Sequence, residues 1–305
     1  MNQADPVSRQ FEEHRDRLRG VAYRMLGSLA EADDALQEAW IRVSRADAHG
    51  VENMPGWLTT VVARVCLNML RSRNRRREEP LERKLPDPVI SASPELQPED
   101  EALLADSVGL ALFVVLDTLS PPERLAFVLH DTFGLPFDEI APMVGRSSQA
   151  TRQLASRARR RVREADVREP DTNLTGQRRV VDAFFRAARE GDFEGLLRCL
   201  DPDVVLRSDF GSRRQLVPPV VRGAEVVARN ARAIPGAELR PVLVNGSAGV
   251  VVVVNGRPFA IMGFTVRDGR IVAIDAIADP ERVGRLAASV LGEIGSGPSA
   301  AEIGT

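Results

Sequence analysis

The sequence predicts a multidomain chain in which two all-α helical modules, the second a helix-turn-helix, precede an α+β domain. Three observations lead to this fold class. Apolar residues recur at helical spacing through most of the first 165 residues. A proline-rich, acidic segment at 78–102 interrupts them, and short β-rich runs such as AGVVVVVN follow only in the last third of the chain. A length of 305 residues accommodates about two domains of ordinary size, or one large domain.

Composition predicts a cytoplasmic protein that does not enter a membrane. No apolar run reaches the roughly 18 residues that a membrane span needs, and the start MNQADPVSRQ lacks a signal-peptide pattern. The net charge of −2 does not mark a nucleic-acid binder, so any such signal must be local. Cys66 and Cys199 lie in apolar periodic stretches without a CxxC pattern, which favours buried reduced thiols. We therefore expect no metal and no cofactor.

The first helical module is predicted over residues 1–77. Ser28 and Glu31 have the spacing of a capping box at the start of its second helix, and a third helix begins near Met54. That third helix has two predicted faces. The face toward the core consists of Leu58, Val61, Val65 and Met69. The opposite polar stripe consists of Thr60, Arg64, Asn68, Arg71 and Arg75, a pattern typical of a surface that follows nucleic-acid phosphates.

The polar loop before this helix contains Asn53 and ends against Trp57. Trp57 is either a core anchor or part of a pocket for an unstacked base. Beside a basic helix, the base pocket is the more specific hypothesis. Residues 78–102 hold five prolines and few large apolar side chains, so we expect an extended linker there.

The second helical module is predicted over residues 103–168. Ser120, Pro121 and Glu123 form a strong helix start. A short helix at 137–144, a turn at 145–146 and a longer helix to about residue 164 have the spacing of a helix-turn-helix. The predicted inward stripe of the longer helix is Ala150, Leu154, Ala158 and Val162. The predicted outward residues are Gln149, Arg152, Gln153, Ser156, Arg160 and Arg163.

Short polar side chains in the first turn of this helix allow its N-terminus to approach base edges, where Gln can bond adenine and Arg can bond guanine. Arginines farther along would meet phosphates. The predicted DNA contacts are Arg146, Ser148, Gln149, Thr151, Arg152, Ser156 and Arg160. A plain helical hairpin is the alternative, and Pro142 inside the first helix is an irregularity that only a first turn tolerates.

An α+β domain is predicted over residues 176–292. Two amphipathic helical patterns are followed by β-rich runs, and Asn255-Gly256 and Asp268-Gly269 separate the last three of them as two-residue hairpin turns would. Residues 293–305 are expected to form a disordered tail.

The order of these parts resembles the extracytoplasmic-function (ECF) sigma factors of bacterial RNA polymerase. The matching stretches are FEEHRDRLRGVAYRMLGSLAEADDALQEAWIRV, PGWLTTVVARVCLNMLRSRNR and LSPPERLAFVLHDTFGLPFDEIAPMVGRSSQATRQLASRARRRV. The resemblance implies that residues 1–77 are sigma region 2, which binds core RNA polymerase and the −10 element. It implies that residues 103–168 are region 4, which binds the −35 element. The −10 candidates are Asn53, Trp57, Thr60, Arg64, Asn68, Arg71 and Arg75. The candidates for docking on core polymerase are Asp33, Asp34, Gln37, Glu38 and Trp40.

The last domain extends the resemblance to a SigJ-like subgroup with a C-terminal SnoaL-like domain. Loose counterparts of the subgroup's motifs are DFGSR at 209–213 and DPERV at 279–283. The resemblance implies that this domain modulates transcription through an intramolecular contact with the sigma modules. The candidates for that contact are Asp209, Arg213, Asp279 and Pro280.

Two other functions compete with that of a sigma factor. One is a ligand-responsive helix-turn-helix regulator, which would need neither an acidic linker nor the face around Asp33. The other is a SnoaL-like isomerase or cyclase fused to a DNA-binding module, but Tyr23 is the only tyrosine and lies outside the last domain, as do all three histidines. Asp209 and Asp275 could act as bases in an apolar cavity. We expect instead that Asp209 is a turn residue and that Asp275 is an exposed strand residue. The sequence does not show whether this domain binds a ligand.

Overall fold

The computed structural model describes residues 6–46, 50–76, 85–92, 110–165, 170–211 and 220–294. The chain divides into two compact units. The first, here called the helical unit, takes Met1–Pro86 and Leu112–Val167. The second, here called the α+β unit, takes Asp87–Ala111 and Arg168–Thr305. No helix in the described ranges is long and apolar enough to cross a membrane.

The helical unit contains the described helices of both predicted helical modules, except for Leu110 and Ala111 at the start of the fifth helix, which belong to the α+β unit. Its first helices are α1 (Pro6–Glu13), α2 (Arg15–Leu26), α3 (Leu29–Val43) and α4 (Met54–Arg76). The later helices are α5 (Leu110–Leu116), α6 (Pro121–Phe127), α7 (Phe137–Val144) and α8 (Ser148–Glu164), with a π-helical turn at Val128–Thr132 after α6. Gly27 ends α2 at a φ of 78°, a conformation that glycine adopts without strain. The predicted helical character of the described parts of both modules is confirmed.

The two predicted capping patterns have different outcomes. At α6, the backbone N–H and the hydroxyl of Ser120 both donate to the Glu123 carboxylate, at 3.1 and 2.7 Å. At α3, Ser28 occupies the N-cap position but its side chain makes no capping bond. The Glu31 carboxylate instead accepts from the Arg73 guanidinium of α4. The predicted capping box at Ser28 is therefore wrong, because a tertiary ion pair takes the carboxylate that it required.

The core face of α4 is rotated slightly from the prediction. Leu58 and Val65 are buried as expected, whereas Val61 and Met69 are half-buried and Val62 and Cys66 are fully buried. The face against α2 and α3 is therefore centred on Cys66. Burial raises the pKa of the Cys66 thiol to about 12, so this cysteine is the buried thiol that the sequence predicts.

The α+β unit is built on one seven-stranded sheet of the described residues, in the order β1-β4-β5-β6-β7-β2-β3. The strands are β1 (Ile90–Ser91), β2 (Leu200–Asp209), β3 (Val220–Arg222), β4 (Ala237–Val244), β5 (Ser247–Val254), β6 (Arg257–Arg267) and β7 (Arg270–Ile277). The helices are α9 (Leu174–Glu190), α10 (Phe193–Cys199), α11 (Ala224–Asn230) and α12 (Pro280–Ile294). Neighbouring strands are antiparallel except β2 and β7, which are parallel. The helix α12 includes residues 293 and 294 of the predicted tail, and the rest of that tail lies outside the described residues.

Two-residue turns join β4 through β7. Asn255 and Asp268 have φ values near 51°, and the glycine that follows each is also at positive φ. The two predicted hairpin turns are confirmed, and Asn245-Gly246 forms a third of the same kind between β4 and β5.

Part of the predicted linker is a strand of this sheet. Ile90 and Ser91 pair with Val244 and Leu243 at the edge of β4. Just before them, the Val89 N–H donates to Asn245 Oδ1 at 2.7 Å, and the Asn245 N–H donates to the Val89 carbonyl at 2.9 Å. Residues 78–84 and 93–102 lie outside the described residues. Of the described linker residues, Leu85 and Pro86 belong to the helical unit, and residues 87–92 belong to the α+β unit.

Candidate nucleic-acid interface

The helix-turn-helix is formed by α7 and α8. Gly145 ends α7 at a φ of 69°, which turns the chain within a few residues. Ser147 then caps α8, since its Oγ accepts from the Ala150 N–H at 3.2 Å. Pro142 is the sixth of the eight residues of α7, so the expectation that only a first turn would tolerate it is wrong. The predicted motif is therefore present, with a helix of 17 residues as its second element.

The buried face of α8 consists of Thr151, Leu154, Ala155 and Ala158. Ala150 and Val162, which the sequence assigned to this face, are half-buried. Thr151 is fully buried, and its hydroxyl donates to the Ser147 carbonyl at 3.0 Å. The prediction that Thr151 contacts DNA is therefore corrected, because helical periodicity places residue 151 on the same face as 154, 155 and 158.

Most of the other predicted DNA contacts, on α8 and in the turn before it, lie on the solvent side. Arg146, Gln149, Arg152, Ser156 and Arg160 are exposed, as are Gln153 and Arg163. Ser148 is half-buried, and its hydroxyl donates to the Asp138 carboxylate of α7. The Arg152 guanidinium lies 5.8 Å from the centroid of the Phe137 ring. This contact orients the arginine at the N-terminal end of α8 while its donors stay accessible.

Two arginines near the end of α8 stabilise the fold instead of facing a partner. Arg159 pairs with Asp131 at 2.6 Å, and Arg161 pairs with the buried Glu123 at 3.1 Å. Burial alone would raise the pKa of Glu123, but the bonds from Ser120 and the positive charge of Arg161 outweigh burial and lower it. The sequence does not distinguish these arginines from the exposed ones, since all of them follow the same local pattern.

The polar stripe of α4 is exposed at Arg64, Asn68 and Arg71. Thr60 is half-buried, and its hydroxyl donates to the Gly56 carbonyl at 2.9 Å. Arg75 lies in α4, but its side chain is outside the described part of the chain. Three of the five predicted side chains therefore form one accessible basic and amide surface.

Asn53 and Trp57 occupy the start of α4. The Asn53 side chain is exposed, and its Oδ1 accepts from the Gly56 N–H at 3.0 Å, which caps the helix. A Cβ at position 56 would lie 2.6 Å from Asn53 Nδ2, so the cap depends on glycine there. Trp57 is half-buried, so part of its indole ring faces solvent beside the stripe.

The predicted polymerase-docking residues lie on α3. Asp33, Asp34, Gln37 and Glu38 are exposed. Asp33 accepts from the Arg19 guanidinium at 2.7 and 3.1 Å, and Glu38 pairs with Arg42. Trp40 is half-buried and packs against Phe11 with ring centroids 5.2 Å apart. The acidic face is therefore accessible, and the tryptophan borders the core.

The two helical modules pack directly against each other within the helical unit. Arg124 of α6 donates to the Arg24 carbonyl of α2 at 3.3 and 3.2 Å and also bonds the Asp117 carboxylate. Arg124 is only 2% exposed. Tyr23 and Phe113 add a ring contact with centroids 4.8 Å apart. The sequence does not reveal this contact, since residues 24 and 124 are 100 positions apart.

The predicted regulatory residues meet the linker inside the α+β unit. Asp209 is buried and pairs with the Arg282 guanidinium. Arg282 also donates to Asp87 of the linker, at 2.8 and 2.6 Å, and Arg285 donates to Asp87 at 2.7 Å.

The two predicted motif loops of this unit also touch each other. Asp279 caps α12 by accepting from the Arg282 N–H at 3.0 Å, and Pro280 is the first residue of that helix. A Cβ at Gly211 would overlap the Asp279 carboxylate, so this close approach requires glycine. Arg213 lies outside the described residues.

Asp275 and Asp209 are both buried. Asp275 is 2% exposed and pairs with Arg207 at 2.7 Å across the parallel strands β2 and β7. Burial raises its pKa, and the Arg207 charge opposes that shift. Asp209 ends β2 and is 7% exposed. The expectation of an exposed strand residue at Asp275 is therefore wrong, because its carboxylate is buried with an arginine. Asp209 is a turn residue as expected, since its Oδ1 accepts from the Gly211 N–H at 3.0 Å, but its carboxylate is also buried with an arginine. Among the described residues, no group of three or more potential ligand side chains could hold a metal ion.

Known proteins resemble the chain in both parts. Residues 10–76 match the family Sigma-70 region 2, and residues 110–162 match the family Sigma-70, region 4. A probable ECF RNA polymerase sigma factor SigI of Mycobacterium tuberculosis is 34% identical over 295 residues, with 96% of this chain and 100% of that protein covered. ECF RNA polymerase sigma factor SigJ of the same organism is 36% identical over 287 residues, with 90% and 92% covered. The crystal structure of Mycobacterium tuberculosis SigJ superposes with a TM-score of 0.69 at 35% identity, covering 90% of this chain and 97% of that one.

The predicted fold class, helical modules followed by a SnoaL-like α+β domain, is confirmed.

Proposed function

The chain belongs to the ECF family of RNA polymerase sigma factors. From this premise we propose which of its surfaces bind core polymerase and which bind promoter DNA during transcription initiation. As a sigma factor it binds core RNA polymerase and promoter DNA, and it is not an enzyme. We place it in the cytoplasm, where polymerase and chromosome meet. The domain assignment is 1–77 for region 2, 78–102 for the linker, 103–168 for region 4 and 176–292 for the SnoaL-like domain.

Region 4 reads the −35 element through the exposed face of α8. The observation that supports this most strongly is the difference between the two sides of the helix. Gln149, Arg152 and Arg160 are exposed on one side. The buried residues on the other side are Thr151, Leu154, Ala155 and Ala158. Arg152 lies near the N-terminus, where side chains reach base edges, and Arg160 lies two turns later, where it meets phosphate.

Region 2 holds the −10 element and core polymerase on separate helices. Arg64, Asn68 and Arg71 of α4 follow the single strand, and the half-buried ring of Trp57 offers a stacking surface for an unpaired base. The exposed acidic face of α3 docks on polymerase, with Asp34 and Gln37 unengaged by the ion pairs that hold Asp33 and Glu38.

The contact between the modules implies that they separate when they act. The −35 and −10 elements lie about 25 base pairs apart, or about 85 Å of duplex at about 3.4 Å per base pair. A compact unit of this size has a radius of gyration of about 14 Å. The arrangement joined by Arg124 and the Arg24 carbonyl therefore cannot engage both elements at once. We propose that binding to core polymerase favours a form in which this contact is broken.

The SnoaL-like domain restrains this separation by holding the linker. Asp87 lies between the modules in sequence, and it is bound to Arg282 and Arg285 of α12. Because β1 also belongs to the sheet of the α+β unit, the linker has less free length than its sequence suggests. Release of this segment gives the modules more reach.

The direct test is a pull-down with core RNA polymerase followed by run-off transcription. A sigma factor is retained by core and produces promoter-specific transcript. Tight promoter binding by the free protein at physiological salt, without retention by core, would instead indicate a helix-turn-helix regulator. Turnover of a small carbonyl substrate without either activity would indicate an enzyme.

A further inference from the structure

A cavity of about 190 Å³ opens into the α+β unit between α9, α11 and the sheet. Its inner walls are apolar and come from one helix and four strands. They include Phe184, Phe185, Leu206, Val252, Met262 and Ile274. An engineered apolar cavity of about 150 Å³ is known to hold benzene, so the space suits one aromatic ring with a short substituent.

The aromatic side of the cavity is rigid. Phe184 and Phe185 each contact the Phe264 ring, with centroids 5.9 and 5.7 Å apart. Edge-on contacts of this kind fix the rings, so the cavity does not depend on a ligand for its shape.

The rim of the cavity is basic. Arg189, Asn230 and Arg232 form the polar part of its lining, and all three are exposed. The Arg189 Nε donates to the Phe185 carbonyl at 3.4 Å. Within the described part of the chain, neither arginine pairs with an acidic side chain, and no described acidic residue lines the cavity. An anionic group at the rim would therefore meet two cations and no carboxylate.

The buried aspartates do not face this cavity. Leu206 lines it, whereas the next residue, Arg207, pairs with Asp275. Since successive side chains of a strand point to opposite faces, Arg207 and Asp275 lie on the other side of the sheet. The cavity has walls for binding and a charged rim, but no buried acid or base for catalysis among its described lining residues.

We propose that this cavity binds a small monocarboxylate with one aromatic ring or a short apolar chain. The apolar body contacts Phe184, Phe185 and Met262, and the carboxylate lies at the rim near Arg189 and Arg232. This site is independent of the sigma-factor activity of the helical unit, so either proposal can fail alone.

The test is calorimetric titration of the full-length protein with phenylacetate and with its neutral isostere phenylacetamide. Phenylacetate binds saturably at one site and raises the unfolding temperature of the α+β unit. Ala188→Phe fills the cavity and abolishes the binding of both probes. The double variant Arg189→Gln, Arg232→Gln weakens phenylacetate binding about tenfold, or about threefold for each exposed charge, and leaves phenylacetamide unchanged. Arg222→Gln removes an exposed arginine elsewhere on the same unit and has no effect on either probe.

Three results would overturn the proposal. The first is the absence of saturable binding up to about 10 mM, well above a millimolar Kd. The second is binding that survives Ala188→Phe. The third is equal affinity for the acid and the amide, which removes the assignment of the rim. If Ala188→Phe fails to fold, the double arginine variant still decides, because both of its substitutions are on the surface.

Discussion

Arg282 and Asp87 are 195 positions apart in the chain and form one ion pair, with Nη2 2.6 Å and Nε 2.8 Å from Asp87 Oδ1. Their side chains are 12% and 14% exposed, and the same guanidinium bonds the buried Asp209. One cation therefore serves two carboxylates that are largely removed from water. Arg285 also reaches Asp87, but its side chain is 59% exposed.

Replacing Arg282 tests this cluster. Arg282→Ala takes the shared cation from two nearly buried carboxylates, so we expect a loss of about 3 kcal/mol in the free energy of unfolding of the α+β unit. Arg285→Ala removes an exposed partner of the same Asp87 and should cost less than about 1 kcal/mol. Denaturant titration measures both changes, and equal losses in the two variants would contradict the assignment of Arg282 as the shared partner.

Replacing Asp87 tests whether the α+β unit restrains the linker. If binding of Asp87 limits separation of the modules, then Asp87→Asn should raise run-off transcription about twofold or more at limiting core polymerase, because a weakened hold leaves more reach. Glu225→Gln, which alters an exposed ion pair of α11 in the same unit, is the control. Unchanged or reduced transcription by folded Asp87→Asn protein would show that the linker contact does not restrain the modules.

Distance measurements test the opening of the helical unit. Spin labels at the exposed Asn68 of α4 and Gln153 of α8, in a Cys199→Ser background, should lie within about 40 Å in the free protein. Addition of core polymerase should lengthen this distance toward the separation of the two promoter elements. A label pair at the exposed Arg17 of α2 and Asn68 of α4, both in region 2, should not change. If the first distance stays constant in active polymerase complexes, the contact of Arg124 with the Arg24 carbonyl is not broken on binding.

The recognition helix makes a prediction about specificity. Arg152→Ala should reduce discrimination between matched and mismatched −35 sequences by about 1 to 3 kcal/mol, because a base contact is lost. Arg160→Ala should weaken binding to all sequences equally and reduce the salt dependence by about one phosphate contact. Transcription from a set of single-base −35 variants distinguishes the two. Identical profiles for both variants would remove the assignment of Arg152 to a base edge.

Glu123 predicts a pH dependence of stability. Its pKa is lower in the folded chain than the value near 4.3 that is usual for an unfolded one, so its contribution is present above that value. It is lost as the pH falls through the lower folded pKa. Glu123→Gln should therefore cost about 1 to 2 kcal/mol at pH 7 and reduce the loss of stability below pH 4.3. Thermal unfolding across this range measures both, with the exposed Glu164→Gln as the control. An acid profile identical to that of the unchanged protein would contradict the role of Glu123.

The sequence by itself determined the elements whose signals are local. The start of α6 at Ser120, the turns at Asn255-Gly256 and Asp268-Gly269, and the cap of α8 at Ser147 depend on residues within a few positions of each other. Because the helical period is nearly constant, the sequence also predicted correctly that Gln149, Arg152 and Arg160 of α8 are exposed.

The tertiary structure alone decided which side chains are removed from water and by what partner. Thr151 is buried, although it lies among residues that face solvent, because the exact edge of a helix face depends on the elements packed against it. Glu31 pairs with Arg73 and does not form the capping box that the sequence predicts. Asp87, in a segment predicted to be an extended linker, pairs with Arg282. In each case a charged side chain found a partner at least 42 positions away. Such pairs form only when the fold brings distant segments together and excludes the water that otherwise solvates the charge, so no local pattern reports them.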